Sequence, residues 1–119
     1  MSPKQSQVDC IFCRIVAGEI PTKIIYRDED VVVFPDIAPA APVHLLVIPV
    51  KHIPSIAALT DADVPLVGKM VAAANRAAKA RGLAGTGYRL VINNGAQAGQ
   101  VVPHLHLHVL GGRPLTTMG

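Results

Sequence analysis

The clearest pattern in the chain is an alternation of histidine and apolar residues over residues 103–110. His104, His106 and His108 occupy every second position, with leucines and a valine between and after them. Successive side chains of a β-strand point to opposite faces, so the pattern predicts a half-buried strand that begins at Pro103 and carries three imidazoles on one face. Packing alone rarely requires three histidines in register. They indicate a site for a metal ion or for one reacting phosphate group.

Apolar patterning elsewhere predicts four more strands and two helices. The strands are runs rich in β-branched residues, namely residues 23–27, 31–34, 43–50 and 88–92. A short amphipathic helix is predicted over residues 10–17, where Gly18 stops it. Hairpin-length loops join several strands, so we predict an α+β fold: an antiparallel sheet of about five strands, one short N-terminal helix and one long helix.

The long helix is bounded by a predicted capping box at Thr60 and Asp63 and by Gly82, a natural residue just beyond a helix end. Because Pro65 fits only the first turn of a helix, the helix is expected to begin near Asp63. Its predicted apolar stripe consists of Val64, Val67, Val71, Ala74 and Ala78.

Composition narrows the possible classes of protein. A chain of 119 residues forms one domain, assigned to residues 9–119, and the polar residues 1–8 are expected to be a flexible tail. The longest apolar run, residues 45–50, is much shorter than the about 20 residues of a membrane span, and we expect a cytoplasmic location without membrane contact. A net charge of +3 and four aromatic residues are too little for a nucleic-acid surface.

Cys10 and Cys13 form a Cys-x-x-Cys pair. In the expected reducing compartment a structural disulfide is improbable, and metal binding or redox chemistry explains the spacing better. The pair is only half of a usual ligand set, so the spacing leaves both uses open.

Residues 104–110 resemble the signature of the histidine-triad (HIT) superfamily of nucleotide hydrolases and transferases. Further similarity extends from Cys10 to Arg113, in segments 34–37, 42–44, 47–49, 51–53 and 99–100. The resemblance implies a HIT-like α+β fold that forms a homodimer. Residues 110–113 are similar to the Hint-like branch, which implies hydrolysis of purine nucleoside 5'-phosphoramidates of the AMP-amine type.

The resemblance also implies the catalytic roles. His106 would attack the α-phosphorus and form a nucleotidyl-histidine, which water then hydrolyses, so that one difficult displacement becomes two easier ones. His108 would donate to a phosphate oxygen or help to deliver a proton. His44, on the third predicted strand, would orient the reacting imidazole or relay a proton. From the sequence alone His44 is more typical of a core histidine than of a catalytic one, and only the resemblance favours the catalytic role.

Nucleotide-binding residues follow from the same resemblance. Asp36 would bind the ribose hydroxyls with Ile37 beside it, although Asp36 also fits an Asx turn. The loop from Asn93 to Gln100 would cradle the phosphate with backbone N–H groups of Gly99, Gln100 and Val101, with the Asn93 amide nearby, or would merely connect two strands. The base pocket would contain apolar residues that are also ordinary core candidates: Ile11, Phe12, Ile15, Ile20 and Phe34.

Bacterial HIT proteins with Cys-x-x-Cys bind zinc, and the resemblance implies a ligand set of Cys10, Cys13, His52 and His104. Two thiolates and two imidazoles make a closed tetrahedral site, which is typical of structural rather than catalytic zinc. The alternative is a metal-free site with two reduced, buried cysteines.

Two departures from the Hint-like pattern bear on activity. Val101 stands where that branch usually carries a serine, so one hydroxyl donor to the phosphate is missing. Residues 114–119 lack the Trp-Pro-Pro ending of the animal enzymes, which leaves the leaving-group preference open. Three alternatives remain: a dinucleoside polyphosphate hydrolase, a weakly active nucleotide-binding module, and a catalytic metal held by the three triad histidines.

Overall fold

The structure, a computed structural model, describes residues 9–119; the predicted tail over residues 1–8 lies outside them. Its helices are α1 (Ile11–Val16) and α2 (Val64–Ala80). Its strands are β1 (Tyr26–Arg27), β2 (Val31–Pro35), β3 (Val43–Pro49), β4 (Tyr88–Val91) and β5 (Leu107–Gly111). All strand pairs are antiparallel, in the order β1-β2-β3-β5-β4, so the predicted α+β class and five-stranded sheet are confirmed.

The histidine strand is shorter than predicted. β5 begins at Leu107, and Pro103 and His104 lie in a bend before it. In this segment the His104 N–H donates to the Val102 carbonyl at 2.8 Å and the Leu105 N–H donates to Ile53, so neither bond belongs to a strand ladder. The first predicted strand is also shorter, because only Tyr26–Arg27 pairs with β2.

The predicted capping box of the long helix is confirmed. The backbone N–H and the hydroxyl of Thr60 both donate to the Asp63 carboxylate. A single 3₁₀ turn then leads into α2, whose first turn contains Pro65, where a missing N–H costs no helix bond. At the other end Gly82 has φ +77° and Leu83 N–H donates to the Ala78 carbonyl, a Schellman motif.

The buried face of α2 differs from the predicted stripe. Val64 is 58% exposed, whereas Ala74 and Ala78 are buried as expected. The face that contacts the sheet consists of Met70, Ala73, Ala74, Ala77 and Ala78. Small side chains let the helix approach the sheet closely. The orientation of α2 is therefore set by the close packing of its alanines and not by burial of its larger valines.

The sheet has two differently covered faces. On one face α2 and the sheet enclose the main core, with Val47, Leu107 and Val109 at its centre. On the other face α1 packs over Leu46 and Ile48 in a smaller cluster. His44 and His108 lie on the α1 face, because His44 alternates with Leu46 on β3 and His108 pairs with Leu46. Within residues 9–119, no helix combines the length and apolarity that crossing a membrane requires.

Candidate active site

Two neighbouring strands bring His44 and His108 together. In the β3–β5 register His44 pairs with Leu110 and Leu46 pairs with His108, so the two histidines are diagonal neighbours on one face. His44 Nε2 lies 2.9 Å from His108 Nδ1, and the two rings are 5.2 Å apart. Both predicted catalytic residues therefore share one hydrogen bond.

The hydrogen bonds around this pair determine which nitrogens carry protons. The Ala40 N–H donates to His44 Nδ1 at 3.0 Å, so the hydrogen of neutral His44 is on Nε2. That N–H donates to His108 Nδ1, which leaves the hydrogen of neutral His108 on its Nε2. Burial lowers the pKa of His44, and burial together with the His106 and His44 rings lowers the pKa of His108 to about 4. Both rings are therefore neutral at pH 7.

His106 has the opposite arrangement. Its Nδ1–H donates to the His104 carbonyl at 2.7 Å, which leaves the Nε2 lone pair free. The ring is 8% exposed and packs edge-on against Phe12 and His108, with ring centroids 5.1 Å away in each case. An imidazole fixed in this tautomer presents a nucleophilic nitrogen to the adjacent cavity.

This cavity, of about 300 Å³, opens beside His106 and His108. Eight of the predicted nucleotide-binding residues line it: Ile11, Phe12, Ile15, Phe34, Asp36, Ile37, Gly99 and Val101. Three further lining residues were not predicted: Pro35, Leu46 and Val102. Leu46 is two residues from His44 on the same strand, so strict strand alternation could have identified it.

Three predicted nucleotide-binding residues do not line the cavity. Ile20 packs against the smaller core cluster, and Asn93 is half-buried elsewhere. The Gln100 side chain accepts from Gly95 N–H and donates to the carbonyls of Pro54 and Val102. The Gln100 side chain therefore holds the conformation of its own loop.

Some backbone N–H groups of the loop before the histidine segment are hydrogen-bonded within the loop itself. Gly99 N–H donates to Ala96 and Gln100 N–H donates to Gly95, both at 3.0 Å. Of the three backbone donors predicted to cradle a phosphate, two are therefore engaged. Among residues 9–119 only Val101 N–H of this set has no acceptor, and the phosphate cradle stays a prediction.

Asp36 forms the Asx turn that the sequence allowed, and it also lines the cavity. Its Oδ1 accepts from the Ala38 N–H at 2.8 Å, which is an Asx turn. Its Oδ2 lies 3.4 Å from His44 Nε2, and the residue lines the cavity. The turn thus places a carboxylate at the edge of the cavity.

A second cluster contains all four predicted metal ligands, Cys10, Cys13, His52 and His104. His104 Nε2–H donates to the Pro49 carbonyl at 2.9 Å, so its Nδ1 lone pair points at the cysteines. Burial lowers the pKa of His104 to about 4, and burial with the Cys10 hydrogen bond raises the pKa of Cys13 to about 12. Neither cysteine forms a disulfide.

The spacing of these four groups can be compared with a tetrahedral ion site. Zinc bonds to nitrogen and sulfur imply N···N separations of about 3.3 Å and N···S separations of about 3.5 Å. His52 Nδ1 and His104 Nδ1 are 3.2 Å apart. Three of the four sulfur–nitrogen distances are 3.1 Å (Cys13 to His52), 3.3 Å (Cys10 to His104) and 3.5 Å (Cys13 to His104). The donor set fits the ion, and because His104 points here, the three triad histidines do not converge on one metal.

Comparison with known proteins identifies the family. The family described as scavenger mRNA decapping enzyme C-term binding matches residues 9–116. An uncharacterised HIT-like protein of Synechocystis is 48% identical over 91% of this chain and 94% of that protein.

Solved structures agree with the sequence matches. A HIT family hydrolase from Legionella pneumophila superposes with a TM-score of 0.89 at 46% identity, covering 91% of this chain and 96% of that one. A zinc-bound histidine-triad family protein from Mycobacterium smegmatis superposes with a TM-score of 0.80 at 37% identity, covering 90% and 77% respectively. The chain belongs to the histidine-triad (HIT) superfamily of nucleotide-binding proteins and hydrolases.

Proposed function

We propose that this protein hydrolyses purine nucleoside 5'-phosphoramidates to a nucleoside monophosphate and an amine. The observation that carries the proposal is the tautomer of His106, whose Nδ1–H is bonded to the His104 carbonyl while Nε2 faces the cavity. The apolar walls of the cavity suit a planar base, and its about 300 Å³ is at the small end for ligand sites. That size favours one nucleoside over two.

The reaction would proceed in two displacements at phosphorus. In the first, His106 Nε2 forms a bond to phosphorus while the phosphorus–nitrogen bond breaks, and the amine leaves with the electron pair and takes a proton from water. In the second, a water molecule attacks, loses its proton and displaces His106. One proton is taken up and one released, so the two steps balance.

Two contacts would lower the barrier to these steps. The ring of His106 becomes cationic when it bonds to phosphorus, and the His104 carbonyl at 2.7 Å then accepts a charge-assisted hydrogen bond. His108 Nε2–H, held by His44, would donate to a phosphate oxygen as charge develops there. Both interactions are stronger in the transition state than before it, which is what accelerates a reaction.

We also propose a structural zinc ion held by Cys10, Cys13, His52 and His104. The zinc-bound relative and the tetrahedral spacing of the four groups support this assignment. When bound, the ion would neutralise two thiolates and cross-link α1 to the segments after β3 and before β5. Homodimer formation and a cytoplasmic location stay predictions.

The test is AMP release from adenosine 5'-phosphoramidate by the wild type and by His106→Ala, with diadenosine polyphosphate as a parallel substrate. We expect release from the phosphoramidate by the wild type, little action on the dinucleotide, and a loss of at least about 10⁴-fold in the variant. The Val101→Ala variant is the matched control, because it truncates an exposed lining residue without a nitrogen nucleophile.

Other outcomes select the alternatives. Faster cleavage of the dinucleotide would identify a dinucleoside polyphosphate hydrolase. Saturable AMP binding without turnover of either substrate would identify a nucleotide-binding module. Equal activity of the wild type and His106→Ala would remove His106 from its role.

A further inference from the structure

Gln100 lies between two residues of the candidate active-site cavity without lining the cavity itself. Gly99 and Val101 are among the lining residues, and Gln100 is not. The residue is half-buried, and its side chain makes hydrogen bonds to three different backbone groups. The Gln100 side chain is therefore bound to the protein and is not presented to a ligand.

These three hydrogen bonds engage the whole amide of Gln100. Its Oε1 accepts from the Gly95 N–H at 2.8 Å, and its Nε2 donates to the carbonyls of Pro54 at 2.8 Å and Val102 at 3.1 Å. One backbone donor and two carbonyls fix which end of the amide carries the oxygen. Because an amide nitrogen has two hydrogens, no donor of this side chain is left for a phosphate group.

The carbonyl that fixes the His106 ring belongs to the peptide group between His104 and Leu105. The N–H of this peptide donates to the Ile53 carbonyl at 2.6 Å. In a planar trans peptide the C=O points opposite to the N–H, and here the C=O accepts from His106 Nδ1–H at 2.7 Å. The direction of this carbonyl therefore depends on the position of Ile53.

Gln100 holds this peptide from both sides. One of its N–H groups donates to the carbonyl of Pro54, the residue that follows Ile53. The other donates to the Val102 carbonyl, which also accepts from the His104 N–H at 2.8 Å. One side chain thus connects the segment that orients the peptide N–H to the residues that lead into His104.

We propose that Gln100 is a positioning residue for the candidate nucleophile, because its amide holds the peptide whose carbonyl fixes the tautomer of His106. This inference rests on the proposed function, in which His106 Nε2 attacks phosphorus. When the His104 carbonyl turns away, nothing retains the hydrogen of the neutral ring on Nδ1, and the hydrogen can occupy Nε2 instead. A ring in that tautomer has no lone pair on the nitrogen that faces the cavity, so it does not attack.

The test compares the full-length, zinc-loaded wild type with Gln100→Met, whose side chain has a similar length but no hydrogen-bond donor. Nitrogen-15 spectra of the imidazole rings should show the Nδ1–H tautomer of His106 in the wild type and a mixture of both tautomers in the variant. On adenosine 5'-phosphoramidate kcat should fall about tenfold. The Kd for AMP should change little, because Gln100 does not line the cavity.

A second variant, Gln100→Glu, separates the donors of the amide from its acceptor. The carboxylate still accepts from the Gly95 N–H, but it donates to neither Pro54 nor Val102 at pH 7. This variant should therefore lose at least as much kcat as Gln100→Met.

Asn94→Leu is the matched control. Asn94 Oδ1 accepts from the Ala57 N–H at 2.9 Å, so it ties the same loop to the same connection between β3 and α2, without a bond to the histidine segment. This variant should keep the kcat and the His106 tautomer of the wild type. Thermal unfolding checks that each variant is folded.

Several results would overturn the role of Gln100. One is an unchanged His106 spectrum in Gln100→Met, and another is wild-type kcat in Gln100→Glu. Equal losses of kcat in Gln100→Met and Asn94→Leu would reduce the effect to loop packing. A higher AMP Kd with unchanged kcat would place Gln100 in nucleotide binding instead. Absence of turnover by the wild type would contradict the proposed function, while the His106 spectra, which need no turnover, would still decide on Gln100.

Discussion

Two histidines separated by one residue use opposite ring nitrogens to bond to the backbone in this molecule. His104 gives its Nε2–H to the Pro49 carbonyl and directs Nδ1 at two cysteines. His106 gives its Nδ1–H to the His104 carbonyl and directs Nε2 at a cavity. The same side chain becomes a metal-ligand candidate or a nucleophile candidate according to which nitrogen the neighbouring backbone occupies.

The proposed metal cluster (Cys10, Cys13, His52 and His104) and the proposed catalytic cluster (His44, His106 and His108) also meet at one residue. Phe12 lies between Cys10 and Cys13, and its ring is 5.8 Å from that of His104 and 5.1 Å from that of His106. It also lines the candidate active-site cavity. His104 has further anchors in the Pro49 carbonyl and the Val102 carbonyl, whereas α1 is only six residues long. Loss of the ion should therefore disturb the cavity more than the nucleophile.

The largest expected effect comes from removing the metal cluster through Cys13→Ser. Bound zinc is expected to fall from one per chain to almost none, and the free energy of unfolding by about 4 kcal/mol where zinc exceeds its Kd a thousandfold. The Kd for AMP should rise because Phe12 loses its anchor, while kcat changes less. Metal analysis, thermal unfolding and AMP titration measure the three effects.

A chelator supplies the control for that variant. It should lower the Tm of the wild type to that of Cys13→Ser and leave the variant unchanged. A fall in kcat with an unchanged AMP Kd would contradict the separation between the two clusters, since it would mean that the ion acts on the nucleophile directly.

Acid should weaken the catalytic cluster through His108. Its pKa is about 4 in the folded protein, against 6.5 for the unperturbed group, because burial disfavours the charged ring. The unfolded chain therefore binds the proton first, so this contribution is fully present above pH 6.5 and is lost as the pH falls from 6.5 to 4. The loss is about 3 kcal/mol at most.

Urea unfolding at several pH values measures that loss, with zinc-loaded wild type compared with His108→Gln. The wild type should lose more stability than the variant over this range. Asp63, whose pKa is lowered to about 2 by Lys51 and Thr60, acts only at lower pH and does not interfere. Parallel curves for the two proteins would show that His108 is not held neutral by burial.

A smaller effect is expected at Arg113, which is connected to His44 through hydrogen bonds of the Ala40 backbone. Its guanidinium donates to the Ala40 carbonyl at 3.0 Å, and the Ala40 N–H fixes the tautomer of His44. Arg113→Gln should lower kcat about tenfold, which corresponds to one charge-assisted hydrogen bond. Nitrogen-15 spectra should show a mixture of His44 tautomers.

Arg89→Gln is the matched control, because Arg89 makes the same kind of bond to the Thr117 carbonyl, away from His44. Equal losses of kcat, or an unchanged His44 spectrum in Arg113→Gln, would contradict the connection through Ala40.

How far the sequence predicted the molecule depended on the range of the interactions involved. Strand alternation and local caps placed the sheet and both ends of α2, because both depend on near neighbours in the chain. The predicted buried face of α2 was wrong in part, because Val64 is exposed and alanines contact the sheet instead. That face depends on the distance between helix and sheet, which neighbouring residues in the chain do not determine. The pairing of His44 with His108 needed the β3–β5 register, which is also long-range.

The loop before the histidine segment shows the same limit within the site. A glycine-containing sequence is compatible with a phosphate cradle, but the N–H groups of Gly99 and Gln100 donate to carbonyls of the same loop. Which donors remain free follows from the loop conformation, and sequence gives little information about that. By contrast the four metal ligands, which the family resemblance implied, lie close together in the structure.

The smallest expected effect is at Val101, which is 88% exposed and lines the candidate active-site cavity. Val101→Ser adds a hydroxyl beside the Val101 N–H, the one donor of the predicted phosphate cradle that has no acceptor, and it costs little stability because the valine buries little surface. One neutral hydrogen bond to the phosphate, about 1 kcal/mol, should raise kcat/KM on adenosine 5'-phosphoramidate about fivefold. Val101→Ala, which adds no donor, should leave kcat/KM nearly unchanged. Equal values for the serine and alanine variants would mean that the phosphate lies beyond reach of this residue, and that its charge is met by the histidine side of the cavity alone.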